Sequence, residues 1–330
     1  MAKKHNQIGP KGLKYSFIKI LTGSDLSSRR LAVMEMKGKE AGPTIWLTGC
    51  IHGDEVGGIV IIQEVFKRLN KEGLTNGRVL AFPLMNPIGF ENNSRNLSTT
   101  KEDLNRSFPG QADGTMAERL ANTIFSYVKN TKPNLVLDLH NDWLASIPYT
   151  LIDPHPGLKH KNVYDQAKNF ARVAGFPIID EEEENLSEKT ELEKTLSGSL
   201  LQVDIPALTL EIGGAYIVNE QNVTDGVNAI FNILKYLKMT GPKTVQTASI
   251  KQEKIWRYSH QPECSTSGLI RFNVQAGQIV KKGDTLARIY NVFGKLVETL
   301  HAQKDALVLG HADSAVALPG LPVVALGVDR

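Results

Sequence analysis

The sequence predicts an α/β protein in which a mixed, largely parallel sheet is flanked by helices and followed by a smaller C-terminal all-β domain of barrel-sandwich type. The chain has 330 residues, more than twice the roughly 150 of an average domain. From Thr44 onward, short apolar runs alternate with longer segments of helical periodicity, which is typical of parallel strands joined by crossover helices. Near the C-terminus, glycines separate short runs of alternating polarity without any helical segment.

The N-terminal elements follow from apolar spacing and turn signals. Two stretches of strand character, at residues 15–21 and 31–36, flank a Gly-Ser-Asp turn signal and predict an edge hairpin. A buried strand is predicted at residues 44–49, and a helix with one apolar face at residues 59–69. A second strand is predicted at residues 78–85.

The next helix begins with a sequence that is typical of a capping box, Thr115-Met-Ala-Glu118, and carries an apolar face as far as Val128. The remaining predicted elements of this domain are strands at 134–139 and 149–152, a helix at 164–174, a strand at 206–214 and a helix at 223–237.

Two features interrupt or end this alternation. Residues 180–198 include four consecutive glutamates and few apolar side chains, which predicts a solvated loop, with a lid as the alternative. The sequence Thr240-Gly-Pro-Lys is typical of a helix end. We therefore expect an α/β domain over residues 1–244 and a small all-β domain over residues 245–330.

Composition limits the classes of function. The 38 basic and 35 acidic residues leave a net charge of only +3, which does not favour nucleic acid as a partner. The two cysteines, Cys50 and Cys264, form no CxxC motif, so neither a disulfide framework nor a thiolate zinc cluster is expected. No run reaches the roughly 18 apolar residues of a membrane span. We expect a cytoplasmic protein whose metal ligands, if any, are His, Asp and Glu.

Two histidine motifs stand at the carboxyl ends of predicted strands, where open α/β sheets bind ligands. His52 and Glu55 lie three residues apart in a glycine-flanked turn, a pairing that by itself is more often a surface feature. His140 ends a second strand, and alternation points Asp138 to the same side, where it could orient the imidazole. Two histidines and a glutamate are the ligands of catalytic zinc sites; hydrogen-bonded structural histidines are the alternative.

Further polar residues suggest hydrolytic chemistry. Glu211 interrupts an apolar strand, which is costly unless the carboxylate is paired or functional. Beside a metal it is placed to act as a general base, whereas a structural carboxylate is the simpler alternative. Arg95 and Arg106 lie in long polar segments and suit either an anionic oxygen or a substrate carboxylate. Either arginine alone would more often be a surface ion-pair partner.

Taken in order, these motifs resemble the succinylglutamate desuccinylase and aspartoacylase family, which is related to the zinc carboxypeptidases. The motifs that carry the resemblance are Gly-x-His52-Gly-Asp-Glu55, Asn86-Pro, Arg95, Asp103-Leu-Asn-Arg106, Asp138-Leu-His140-Asn and Glu211. The β-rich tail also resembles the second domain of those proteins. The resemblance implies a carboxypeptidase-like fold and covers nearly the whole chain.

The resemblance also implies roles for individual residues. His52, Glu55 and His140 would bind one zinc ion per chain. Glu211 would be the general base and later the proton donor, and Arg95 would polarise the scissile carbonyl.

The remaining roles concern the substrate. Asn105 and Arg106 would hold its carboxylate, and Asp103 would orient His52. We expect a zinc-dependent hydrolase that cleaves the linear amide bond of a small N-acyl amino acid. A carboxypeptidase acting on short peptides is the alternative, and a non-catalytic binding protein is a third interpretation that the retained ligands and Glu211 disfavour. The sequence leaves the acyl group, the amino acid and a homo-oligomeric state open.

Overall fold

The structure is a computed structural model that describes residues 7–8, 12–23, 26–154, 157–181, 191–241 and 254–329. Within these ranges the strands form one sheet of 14 strands and a second sheet of four. The predicted boundary after residue 244 lies outside the described residues and stays a prediction.

The first part of the large sheet contains ten strands. They are β1 (Gln7–Ile8), β2 (Leu13–Thr22), β3 (Ser28–Lys37), β4 (Glu40–Gly49), β5 (Asn76–Phe82), β6 (Leu135–Asp142), β7 (Ala145–Ser146), β8 (Pro148–Ile152), β9 (Ile178–Asp180) and β10 (Ala207–Gly214). Strands β2 and β3 form the predicted antiparallel hairpin near one edge. Strands β5, β4, β6 and β10 are parallel neighbours in that order, whereas β8 runs antiparallel to β10. The predicted mixed, largely parallel core is confirmed.

Helices cover this sheet on both faces. The α-helices in the described ranges are α1 (Gly57–Glu72), α2 (Pro87–Glu91), α3 (Met116–Asn130), α4 (Lys161–Ala174), α5 (Leu196–Leu201) and α6 (Glu220–Tyr236). The predicted capping box starts α3, since the Glu118 amide donates to Thr115 Oγ1 at 3.3 Å and the Thr115 amide donates to Glu118 Oε2 at 2.8 Å. Among these described helices, none is long and apolar enough to cross a bilayer.

The alternation of side chains along β6 separates the two faces of the sheet. Leu137 and Leu139 point into a core that contains the apolar sides of α1, α4 and α6. Val136 points into the opposite core, which contains α3 and α5. Because successive side chains of a strand alternate, Asp138 and His140 lie on the face of α3 and α5.

The prediction of a solvated loop over residues 180–198 is wrong at both ends of that segment. Asp180 ends β9 and is only 1% exposed. At the other end, α5 is buried along its whole length, and Leu196 and Leu200 anchor it in the core beside α3. The four-residue spacing of these leucines is a helical signal that the adjoining glutamates obscured. Residues 182–190 lie outside the described part of the chain.

The C-terminal strands confirm the prediction of an all-β unit. They are β11 (Ile255–Ser259), β12 (Gly268–Phe272), β13 (Ile279–Val280), β14 (Thr285–Tyr290), β15 (Leu296–His301), β16 (Ala306–His311), β17 (Val316–Ala317) and β18 (Val324–Val328). Strands β15, β14, β12 and β17 form the small sheet, which faces β13, β16 and β18 across a shared apolar core. Strand β11 pairs in parallel with β9, so the hydrogen bonding of the large sheet continues into this unit.

Candidate active site

The loop between β4 and α1 carries the first pair of candidate residues. His52 and Glu55 are buried there, at 2% and 3% exposure. The Gly53 amide donates to the Ser94 carbonyl oxygen at 3.1 Å, so this loop packs against the segment that follows β5. That packing brings Arg95 next to Glu55.

The close approach of the two loops requires a glycine at position 53. A Cβ there would lie 2.0 Å from the carbonyl carbon of Gly89. We expect Gly53→Ala to lower the free energy of unfolding by about 3 kcal/mol, because the backbone has to move apart. Urea denaturation measures the effect. Gly241→Ala is the control, since a Cβ at that glycine meets nothing within 4 Å. Urea midpoints that agree between the two variants would contradict this account of the packing.

The two histidine motifs meet around one carboxylate. Glu55 Oε1 lies 2.6 Å from His52 Nδ1, and Glu55 Oε2 lies 2.8 Å from His140 Nδ1. The main-chain amide of Asn141 also donates to Glu55 Oε2, at 3.0 Å. The structure thus brings together the three residues that the sequence predicted as metal ligands.

The other nitrogen of each imidazole faces an aspartate. His140 Nε2 lies 3.0 Å from Asp138 Oδ2, and the Thr48 hydroxyl donates to Asp138 Oδ1 at 2.7 Å. His52 Nε2 lies 3.3 Å from Asp103 Oδ1, as the resemblance implied. Histidines that bind metals usually present one ring nitrogen to the ion while a carboxylate or carbonyl fixes the other. The Nδ1 atoms are therefore the ones available to an ion.

The donor set suits zinc. Two imidazoles and one carboxylate, without a thiolate, are a common ligand set of catalytic zinc. Ligand atoms in a tetrahedral zinc shell stand roughly 3.3 Å apart, and candidate ligand atoms of His52, Glu55 and His140 all lie within 4.8 Å of one another. The three residues fit a zinc ion with small side-chain adjustments.

Burial and charge act in opposite directions on this cluster. Burial raises the pKa of Glu55, but the imidazoles of His52 and His140 outweigh it and hold that pKa well below its usual range. Burial lowers the pKa of His140, but Asp138 and Glu55 outweigh it and hold that pKa well above its usual range. The buried Glu55 carboxylate is thus stabilised by neighbouring positive charge, which is also what a metal ion supplies.

Glu211 lines the same cavity as this cluster. It stands in β10 directly opposite His140 of β6, and the period of two puts both side chains on the same face of the sheet. Its Oε2 atom is buried and has no hydrogen-bond partner among the described residues. Burial raises the pKa of Glu211 well above its usual range, and the charges of Glu55 and Asp142 add to the increase. Such a carboxyl group is suited to accepting a proton near neutral pH.

The predicted substrate-contacting residues also lie in this region. Arg95 Nη1 is 3.4 Å from Glu55 Oε1, and Arg95 Nη2 is 3.3 Å from Asp103 Oδ2, so its guanidinium lies against the cluster of His52, Glu55 and His140. The side chain of Asn105 accepts a hydrogen bond from a main-chain amide of α5. Arg106 Nη1 donates to the Asn105 carbonyl oxygen at 2.9 Å. All three side chains line the same cavity as Glu211.

The cavity has a volume of about 340 Å³ and contains residues that sequence reasoning missed. They include Asp142, Trp143, Tyr149, Asp153, Glu181, Thr195, Ser197, Tyr258, His260 and Pro322. Asp153 and Glu181 each follow a buried strand, the same signal that singled out the histidine motifs. Tyr258 and His260 come from the β11 region, and no local pattern indicates that they reach the site.

The family of the chain follows from its sequence as well as from this geometry. Residues 41–237 match the model of the "Succinylglutamate desuccinylase/Aspartoacylase catalytic domain". The match spans more than half of the chain, and the chain belongs to this deacylase family, as the motifs predicted. A curated relative, the N-alpha-acetyl-L-2,4-diaminobutyric acid deacetylase of Halomonas elongata, is 27% identical over 295 residues, which are 85% of this chain and 81% of the relative.

Solved structures show the same fold. The product-bound ectoine utilization protein of Ruegeria pomeroyi has a TM-score of 0.81 at 21% identity, covering 99% of this chain and 98% of that one. A metallo-carboxypeptidase of Burkholderia cenocepacia has a TM-score of 0.52 at 14% identity, covering 68% of this chain and 65% of its own. The carboxypeptidase-like fold that the resemblance implied is confirmed.

Proposed function

We propose that the protein is a zinc-dependent hydrolase that cleaves the amide bond of an N-acyl amino acid. The observation that carries the proposal is the clustering of two imidazoles around the buried Glu55 carboxylate, with Glu211 on the same face of the sheet. The Oε2 atom of Glu211 has no hydrogen-bond partner among the described residues. Membership of a deacylase family and a relative named as an acetyl-amino-acid deacetylase support it.

His52, Glu55 and His140 would hold the zinc ion. Bound zinc lowers the pKa of a water molecule and polarises a carbonyl group. Cys50 is close in sequence but is not suited to join the ligands, because burial raises the pKa of its thiol to about 12 and keeps it protonated at neutral pH. Its sulfur instead donates to the His52 carbonyl oxygen at 3.3 Å.

Glu211 would transfer protons during the reaction. Its carboxylate would accept a proton from the water that attacks the amide carbon and would then donate that proton to the leaving amine. The raised pKa of Glu211 favours proton uptake near neutral pH. Its position opposite His140 places the carboxylate beside the proposed zinc ligands.

Three side chains would bind the rest of the substrate. Arg95 lies against Glu55 and can donate to the oxygen that becomes negative as the carbonyl is attacked. Asn105 and Arg106 line the cavity beyond it and would hold the carboxylate of the amino acid, for which a guanidinium is well suited.

The size of the cavity favours a small substrate over a peptide. A volume of about 340 Å³ is near the lower end of the range for small-molecule sites. Tyr258, His260 and Pro322 contribute to its wall, so the C-terminal strands narrow the space above the sheet.

The test is a substrate panel with the zinc-loaded protein, which compares N-acetyl and N-succinyl amino acids with dipeptides and tripeptides. We expect kcat/KM for the best N-acyl amino acid to exceed that for any peptide by at least about 100-fold, because a peptide extends beyond the cavity. A peptide hydrolysed as fast as the best acyl amino acid would overturn the substrate assignment.

A further inference from the structure

The cavity contains an acidic group that the proposed hydrolysis does not use. Asp153 follows β8 and Glu181 follows β9, and these strands are parallel neighbours with Ile152 opposite Asp180. The Glu181 amide donates to the Ile152 carbonyl oxygen at 3.1 Å. One step further along this register, Asp153 and Glu181 are neighbouring positions just beyond the carboxyl ends of the two strands, and both side chains line the cavity.

One of these carboxylates has an oxygen without a partner. Asp153 is 2% exposed, and its Oδ1 accepts a hydrogen bond from the Thr195 hydroxyl at 2.9 Å. Its Oδ2 is buried and has no hydrogen-bond partner in the part of the chain that the structure describes. Buried polar atoms of native proteins are nearly always hydrogen-bonded, so this oxygen points to a donor supplied by a ligand.

The local charge specifies the kind of donor. Burial raises the pKa of Asp153. Burial and the neighbouring charge of Asp153 also raise the pKa of Glu181 to about 8, although Arg106 acts in the opposite direction. Two adjacent carboxyl groups of this kind repel each other when ionised, and a cation between them relieves the repulsion.

The position along the sheet indicates which part of the substrate reaches this point. Tyr149 of β8 pairs with Glu211 of β10. Asp153 comes four residues after Tyr149, which at the rise of a strand is a distance of about 13 Å between the two residues. Arg106, which we expect to hold the carboxylate of the amino acid, lies within electrostatic range of Glu181. With its carboxylate held at Arg106, we expect the amino acid part of the substrate to extend toward Asp153 and Glu181.

We propose that Asp153 and Glu181 form a subsite for a primary ammonium group, so that the enzyme acts on N-acyl amino acids whose side chain ends in an amine. The three N–H groups of the ammonium would be met by Asp153 Oδ2, the Glu181 carboxylate and the Ser197 hydroxyl, which lines the cavity beside them. This inference rests on the proposed function, because it assigns the substrate of that same site.

The test compares substrates that differ only in charge. Nα-acetyl-L-2,4-diaminobutyrate and Nα-acetyl-L-ornithine are paired with their uncharged isosteres, N-acetyl-L-norvaline and N-acetyl-L-norleucine, and N-acetyl-L-aspartate supplies an acidic side chain. We expect kcat/KM of the zinc-loaded wild type to be at least about 100-fold higher for the better cationic substrate than for its isostere, because the isostere leaves the buried Asp153 Oδ2 without a donor and the neighbouring Glu181 carboxyl group without a cation.

The variant Asp153→Asn is expected to lower this cationic-to-neutral ratio at least about 10-fold, since the amide keeps the shape but not the charge. Asp165→Asn is the control: it also removes one negative charge, but from a side chain on α4 that is 52% exposed and paired with Lys161. We expect the control to leave the ratio unchanged.

A binding measurement separates this inference from the proposed function. Calorimetric titration of the wild type with L-2,4-diaminobutyrate and with L-norvaline needs no turnover, and we expect the diamino acid to bind at least about 10-fold more tightly. Equal affinities, or faster hydrolysis of the neutral or acidic substrates, would overturn the subsite and leave the proposed hydrolysis intact. Preferential binding of the diamino acid without hydrolysis of any acetyl amino acid would support the subsite and overturn the proposed function.

Discussion

The Glu211→Gln variant is expected to hydrolyse an N-acetyl amino acid about 10³-fold more slowly than the wild type. Glutamine has nearly the same shape as glutamate, but its amide cannot accept the proton of the attacking water. The Oε2 atom that the change replaces is buried and has no hydrogen-bond partner among the described residues, so little native bonding is lost with it. Initial rates at saturating substrate measure the effect, together with the zinc content of the same preparation.

Zinc content distinguishes a loss of chemistry from a loss of the site. Because His52, Glu55 and His140 are intact in this variant, we expect zinc to remain stoichiometric. Glu64→Gln is the control, since Glu64 lies on α1, is 43% exposed and pairs with Lys67. A Glu211→Gln variant that retains more than a tenth of wild-type turnover would contradict the assignment of Glu211 as the base.

The second large effect is expected from His140→Ala. Loss of a supporting hydrogen bond to a metal-binding histidine typically lowers metal affinity 10- to 100-fold, and loss of the histidine itself should exceed this range. The change also leaves Asp138 and Glu55 facing a gap, because both contact the imidazole at 3.0 Å or less. We therefore expect the purified variant to retain little zinc after dialysis against metal-free buffer, as measured by mass spectrometry of the metal.

A histidine outside the cluster provides the comparison. His301 lies on β15, and its Nδ1 lies 3.0 Å from the Gly283 carbonyl oxygen at the protein surface. We expect His301→Ala to keep wild-type zinc stoichiometry. If His140→Ala also kept it, His140 would not be a ligand.

Much of the candidate site could be predicted because several of its residues lie near the carboxyl ends of strands. Polar side chains at the carboxyl ends of buried strands, as at Asp138, His140 and Glu211, stand out against apolar neighbours. The period of two then places them on a common face, and the structure shows His140 opposite Glu211. The order of the motifs along the chain, compared with the family, also predicted Arg95 and Asp103 as site residues. In the structure Arg95 contacts Glu55, and Asp103 contacts His52.

The rest of the cavity depends on pairings that local sequence does not encode. Tyr258 and His260 reach the site because β11 pairs with β9, far away in the chain. Glu181 belongs to a run of glutamates whose composition resembles a solvated loop, yet it follows a buried strand and lines the cavity. Ser197 lies in α5, which is buried because Leu196 and Leu200 pack into the core. This apolar pattern is short, and the acidic composition of the neighbouring residues led to the prediction of a solvated loop instead.

Removal and return of zinc tests the central claim most directly. The measurement is the rate of acetate release from an N-acetyl amino acid by the same protein sample before chelation, after chelation and dialysis, and after addition of one equivalent of zinc. We predict that chelation reduces the rate at least about 100-fold and that one equivalent of zinc restores it, because the ion supplies the activated water. An unchanged rate in the metal-free protein would contradict the proposal that His52, Glu55 and His140 form a catalytic zinc site.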